Sequence, residues 1–209
     1  MHYAIQVDSA TTDYLQLTAR KKSLKHVLLL VEQGMVLLKL GKHEYAARAK
    51  QALWIPCQCL HALTIFPQTR LTRIEFSARL RHNFPLQAGF VAPGTLCRAV
   101  LARLSETTPQ MTVYSHLLGV LTDEVLHFQP ELHENKFTHL LKQWQAQYPQ
   151  PVEDISPEVH LILLLREAQK KMLSGVAAAQ VADQLFDGQL AQLHQLRENL
   201  LGLNSDIKS

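Results

Sequence analysis

Cysteine is scarce in this 209-residue chain: there are three, and two of them, Cys57 and Cys59, sit one residue apart, too close for an ordinary structural disulfide. An odd count so arranged excludes a disulfide-stapled scaffold and fits a reducing compartment, so the expected location is cytoplasmic. Long apolar runs are missing too, and Met1 to Asp8 lack the basic stretch and apolar run of a leader, so no membrane partner is expected. Nor is there an excess of one charge. With 21 Lys and Arg against 18 Asp and Glu, the formal net charge is +3, and any contact with nucleic acid must be local. Also absent are a Gly-x-Ser-x-Gly elbow, a glycine-rich phosphate loop, a His-Glu-x-x-His pair and paired carboxylates on one strand. Without a nucleophile arrangement, the expectation is a binding protein with no cofactor and not an enzyme.

What the chain does have is a core: 47% of its residues are hydrophobic. From Lys25 to Phe76 short apolar stretches alternate with breaks, the rhythm of an all-β unit. The expected strands are His26 to Glu32, Met35 to Leu40, Glu44 to Ala49, Ala52 to Ile55, His61 to Phe66 and Thr72 to Ser77. Gln33-Gly34, Gly41-Lys42, Pro56 and Pro67-Gln68 interrupt them through glycine's free φ or proline's missing N–H. The run HVLLLVE is apolar on both faces and so reads as a central strand covered on both sides. Several short antiparallel strands joined tightly predict a barrel or sandwich.

Past Pro93-Gly94 the period becomes helical. Leu96, Val100 and Leu104 recur at four-residue spacing, as do Leu117, Leu121 and Val125. A third helix is expected over Phe137 to Tyr148, ending at Pro149-Gln150-Pro151. Three more follow: Pro157 to Leu173, Ala177 to Leu185 and Gln189 to Leu201, broken at Gly175 and Asp187-Gly188. Ser156 is placed to cap the helix whose first position Pro157 takes, and Leu161 to Leu165 predicts that this helix is the buried hub of the second half. The fold class expected is α+β, with an antiparallel barrel over residues 1–92, a helical linker or dimerisation region over 93–150, and a single helix-turn-helix-like unit over 151–209.

Trp54-Ile55-Pro56 closing on His61, preceded by Leu28 to Gly34 and followed by Val91 to Val100, resembles the N-terminal sensory cupin domain of AraC-type transcriptional regulators. Ser156-Pro157 through Leu185 resembles part of the same family's DNA-binding half. The resemblance implies a ligand-binding barrel, a DNA partner, a small-molecule effector and a homodimer. His26, Trp54, His61 and Glu75 are the candidate ligand-binding residues, because polar and aromatic groups on barrel strands can orient a ligand. No metal is expected: a metal-binding cupin brings a His-x-His pair and a carboxylate from an earlier strand, and here that strand offers only His26 and Glu32. Cys57 and Cys59 read as buried, unreactive thiols.

The second half departs from the family in two ways. Gln150 to Asp154 leaves no room for a first helix-turn-helix, and the turn before the last helix reads Leu185-Phe186. The candidate DNA-contacting residues are Gln180, Gln189, Gln192 and Arg197, since glutamine can read base edges and arginine can hold phosphates. One arginine on such a helix predicts weak DNA binding from a single copy. The alternatives are a ligand-binding or protein-interaction module without DNA contact, and a metal-dependent enzyme built on His61.

Overall fold

The computed structural model describes residues 4–203. The outer ends of the first and third expected segments, 1–3 and 204–209, lie outside the described residues.

Among the described residues, ten strands form two antiparallel sheets. In chain order they are β1 (Ile5–Thr12), β2 (Gln16–Leu17), β3 (Lys21–Lys22), β4 (Lys25–Gln33), β5 (Met35–Leu40), β6 (His43–Arg48), β7 (Ala52–Ile55), β8 (Leu60–Ile65), β9 (Thr69–Ser77) and β10 (Gly89–Val91). The first sheet runs β1-β9-β4-β7-β10; the second runs β2-β8-β5-β6, with β3 also pairing β8. The all-β reading of Lys25 to Phe76 is what the structure shows, and β4 is the central strand of its sheet. Strands β1, β2, β3 and β10 were not expected. β1 carries a polar, mostly exposed sequence and is ordered by eight consecutive register pairs with β9.

Because side chains alternate along a strand, each sheet has an inner and an outer face. Val27, Leu29, Val31, Leu38, Leu53, Ile55, Leu63 and Ile65 point inward and fill the space between the sheets. Leu28, Trp54, Ile74 and Phe76 point outward from the first sheet, and Leu37 and Ala46 outward from the second. Both outer faces are covered by helices, which is why HVLLLVE is apolar throughout. Gly34 makes the β4–β5 turn at φ +84°, and a Cβ there would sit 2.4 Å from Thr69 Oγ1. Only glycine fits that approach.

Helices α1 (Thr95–Ser105) and α2 (Thr112–Leu126) pack on the first sheet. Helices α3 (Lys136–Gln147), α4 (Pro157–Leu173), α5 (Ala178–Leu185) and α6 (Leu190–Leu201) pack together on the second. α4 begins as expected: the Ser156 hydroxyl accepts from the Val159 N–H, and Pro157 takes the first turn. Ile162 to Leu165 are all buried, which makes α4 the hub of that layer. The N-terminus of α3 also seals a sheet edge. The Ala46 N–H of β6 donates to Thr138 Oγ1 at 3.1 Å, and Asn135 Nδ2 donates to the Ala46 carbonyl at 2.6 Å. At the other sheet's end, Phe90 of β10 exchanges both backbone hydrogen bonds with Glu131. Such capping denies another strand a template.

Candidate functional site

The pleat divides the four candidate ligand residues into two pairs. His61 of β8 and Glu75 of β9 point inward and meet at one mouth of the barrel. Trp54 of β7 and His26 of β4 point outward, toward α2 and the loop carrying Phe84. Trp54 is 0% exposed, its Nε1–H donates to the Pro85 carbonyl at 2.9 Å, and its ring packs against Phe76, Phe84 and His26. His26 Nδ1 accepts from the Cys57 N–H at 3.2 Å, and the ring lies 4.6 Å from that of Phe84. The expectation that these two line the ligand site is therefore corrected. They are joists of the sheet–helix layer, and pleat parity is the reason.

Around His61 and Glu75 the structure gathers a cationic cluster that the sequence reading missed. Lys25 Nζ lies 2.6 Å from Glu75 Oε2, and Arg73 Nη2 lies 2.6 Å from Oε1. β3 is paired with β8 so that Lys21 stands opposite His61. These residues border a cavity of about 310 Å³, beneath which Val27 and Leu63 close the barrel. A ligand has room at the mouth, whereas the interior below it is occupied by side chains. Burial raises the Glu75 carboxyl, but the hydrogen bond from Lys25 and the charges of Arg73 and Lys25 outweigh it and hold the group below the usual carboxylate range. Burial lowers His61, the Cys59 carbonyl partly offsets this, and the charges of Arg73 and Lys21 lower it further. His61 Nδ1 lies 3.1 Å from the Cys59 carbonyl, which can only accept, so Nδ1 carries the proton and Nε2 is left as the ring's acceptor. The mouth is thus a site with an excess of fixed positive charge and one neutral imidazole. Arg73 could have been found in the sequence, because it stands two residues from Glu75 on the same strand face.

Among the described residues no three His, Cys, Asp or Glu side chains cluster as metal ligands would. Cys57, Cys59 and Cys97 are free thiols. Cys97 is buried and its pKa is pushed up to about 11 by that burial and by Glu124. Burial likewise raises Cys59.

Barrel and helices are joined by a buried ion pair. Glu44 of β6 points outward, and its two oxygens lie 3.0 and 3.2 Å from Arg166 Nη1 on α4; the two residues are 3% and 1% exposed. Arg166 Nε donates to Glu167 at 2.9 Å, and Gln145 Nε2 donates to Glu44 at 2.7 Å. Arg166 follows Leu161-Ile162-Leu163-Leu164-Leu165 in the core stripe of the helix, and this was the one sequence signal for the joint. Glu44 gave none.

Helices α4, α5 and α6 form a three-helix unit. Gln180, Gln189 and Gln192 are exposed. Arg197 differs from these three: it is half-buried on the side of α6 that carries Leu193 and Leu200, and its Nε is buried without a hydrogen-bond partner. The outward side of α6 presents Gln192, Gln195, Glu198 and Asn199, with no lysine or arginine. The end of α6 is docked on the barrel, where the Leu15 N–H donates to the Leu200 carbonyl at 2.7 Å.

No family model matches the chain, and no curated protein matches it. Solved structures do. ToxT from Vibrio cholerae strain SCE256, in a K231A form, aligns over 97% of this chain and 95% of its own, at 8% identity and a TM-score of 0.43. ToxT from Vibrio cholerae O395, bound to (E)-4-(8-methylnaphthalen-1-yl)but-3-enoic acid, aligns over 97% of both chains at 8% identity and a TM-score of 0.41. A cupin superfamily protein from Desulfitobacterium hafniense DCB-2 aligns over 37% of this chain and 71% of its own, at 13% identity and a TM-score of 0.34.

Proposed function

We propose that this chain is a ligand-responsive regulator of the AraC type and not an enzyme, binding a small anionic molecule at the barrel mouth and answering through its helical layer. The observation that supports this best is the mouth itself. Lys21, Lys25 and Arg73 surround one carboxylate and one neutral histidine beside a cavity of about 310 Å³, so an anion gains charge-assisted hydrogen bonds that water alone does not supply. In this reading His61 and the cations bind the effector, while Glu75 orients Lys25 and Arg73. The division of the chain near residues 92 and 150 and its cytoplasmic location belong to the same proposal. A thermal-shift screen of small organic acids tests it. Binders should lose their effect in Arg73→Gln and His61→Gln, and binders that ignore both substitutions would end the assignment.

For the output, the geometry favours a unit that acts through protein contacts. The face of α6 that DNA would meet carries no cation, and phosphate contacts supply most of the affinity of such modules. A second reading, DNA contact by two paired copies, draws on the exposed Gln180, Gln189 and Gln192. A gel-shift assay with the gene's upstream DNA separates them. Salt-sensitive, sequence-dependent binding at micromolar protein supports the second reading and excludes the first.

The pairing surface in either case is the α1–α2 hairpin. Leu96, Met111, Val113 and Val120 are large apolar side chains between 39% and 54% exposed, and a second copy of this chain covers them in the proposed homodimer.

A further inference from the structure

The Glu44–Arg166 joint is bordered by a cleft beside the mouth, which it meets at Thr18, Ala19 and Leu63. It lies on the outer face of the second sheet, under the C-terminal half of α4. Its deep part, about 200 Å³, reaches Trp144, Tyr148 and Arg166; its wide part, about 740 Å³, opens along Leu17, Ala62 and Leu173. The two parts share Lys39, Lys42 and Lys170, along with Glu44 and Glu167. Both carboxylates are already engaged, Glu44 by Arg166 and Gln145, and Glu167 by Arg166 and Lys170. The ammonium groups of Lys39 and Lys42 have no carboxylate within ion-pair distance among the described residues, and the Tyr148 hydroxyl is buried without a hydrogen-bond partner. Fixed donors therefore outnumber acceptors at the narrow end, and an apolar wall lies at the wide end.

We propose that this cleft binds a phosphate monoester carried on a small apolar body, its phosphoryl group among Lys39, Lys42 and Lys170 and its organic part against Leu17, Ala62 and Leu173. Two unpaired ammonium groups, Lys39 and Lys42, and a third, Lys170, that shares Glu167, line both parts of the cleft, and such a set suits a compact group with three acceptor oxygens and nearly two charges at neutral pH. A carboxylate is better matched by an arginine fork, and here the fork of Arg166 already holds Glu44, while the other arginine of the lining, Arg20, borders only the wide part. The occupant would touch the barrel through Lys39 and Lys42 and the helical layer through Lys170, so it would tighten one on the other. Lys170 is held below the ordinary lysine range by burial and then by Arg166, and a nearby dianion relieves that strain on its charge.

Calorimetric titration of the full chain with phenyl phosphate, inorganic phosphate and benzoate tests the assignment. With the mouth disabled by Arg73→Gln, phenyl phosphate should bind saturably, inorganic phosphate more weakly, and benzoate roughly tenfold more weakly or not at all. Lys39→Gln with Lys42→Gln should weaken phenyl phosphate roughly tenfold or more while leaving the unliganded melting temperature in place. Arg73→Gln, at the mouth, should leave it unchanged, which separates failure here from failure of the effector site. Absence of saturable phenyl phosphate binding, binding unaltered in the double variant, binding abolished by Arg73→Gln, or benzoate binding as tightly in Arg73→Gln, where the mouth is disabled, would each overturn the proposal.

Discussion

At the scale of single residues, the buried pair Glu44–Arg166 makes the sharpest claim. An ion pair out of water is held against a large desolvation cost, so removing one partner strands the other. Arg166→Met alone should cost about 3–5 kcal/mol in denaturant unfolding. Glu44→Leu combined with Arg166→Met should recover most of that loss, because two apolar groups of similar size leave no buried charge behind. A double variant as unstable as the single one would show that the guanidinium matters through its packing on Trp144, whose ring centroid lies 5.9 Å away. The histidines make a second claim at this scale. Burial lowers the pKa of His26 and His160, and burial followed by nearby charges lowers His61. A histidine whose folded pKa lies below its unfolded value makes the unfolded chain the stronger proton binder, so stability rises with pH through that window. The melting temperature should therefore fall as pH drops from about 7.5 to about 5.5, before carboxylates titrate. His160 Nδ1 accepts from Trp144 Nε1 at 3.0 Å, so protonation at that nitrogen also breaks a hydrogen bond. The inward side of Glu75 was legible in the sequence because β9 alternates around it. Trp54 was not, since all four residues of β7 are buried and no alternation marks its face.

At the scale of elements, the sequence shows whatever is periodic or capped. β5, β7 and α4 run where their apolar spacing and end signals put them, and α4 has both a capping serine and a proline at its start. β1 escaped because its order comes from β9, a long-range partner that no local pattern announces. β2 and β3 are two residues each, too short to carry a period. The cap on the β6 edge was equally invisible, since Asn135 and Thr138 act on Ala46, far away in the chain. Thr138→Val leaves the buried Ala46 N–H without its acceptor and should cost about 1–3 kcal/mol. Asn135→Ala removes an α3 cap as well as the contact to the Ala46 carbonyl, and should cost at least about 1 kcal/mol. Both are measurable by urea unfolding. If Thr138→Val also promotes aggregation, the side-chain cap is doing for this edge what charge does for many others. At Gly34, by contrast, Ala combines a left-handed φ with an approach of 2.8 Å to the Thr69 Cα, and the variant should fail to accumulate in folded form.

At the scale of the whole molecule, one barrel carries two helical layers, each on its own outer face. α1 and α2 cover the first sheet and leave an apolar strip outward; α3 to α6 cover the second and carry the joint. The proposed homodimer has a direct check here. Val120→Glu should shift light-scattering mass toward the monomer without lowering the melting temperature of the chain, because Val120 is 39% exposed and makes no part of the core. A monomeric parent protein would refute the dimer. The helical second half was legible from periodicity alone, but the sides its residues take were not. Arg197 lies half-buried because α6 leans on the barrel, and that lean depends on residues near position 15. The Leu15 to Leu200 hydrogen bond links positions separated by nearly the whole described chain, so it closes a very long loop and has a large entropy of closure to overcome. During synthesis the barrel strands emerge first and wait for α6. Refolding followed residue by residue by pulsed hydrogen exchange should therefore show the amide of Leu15 gaining protection with α6, after the amides of β4 and β9.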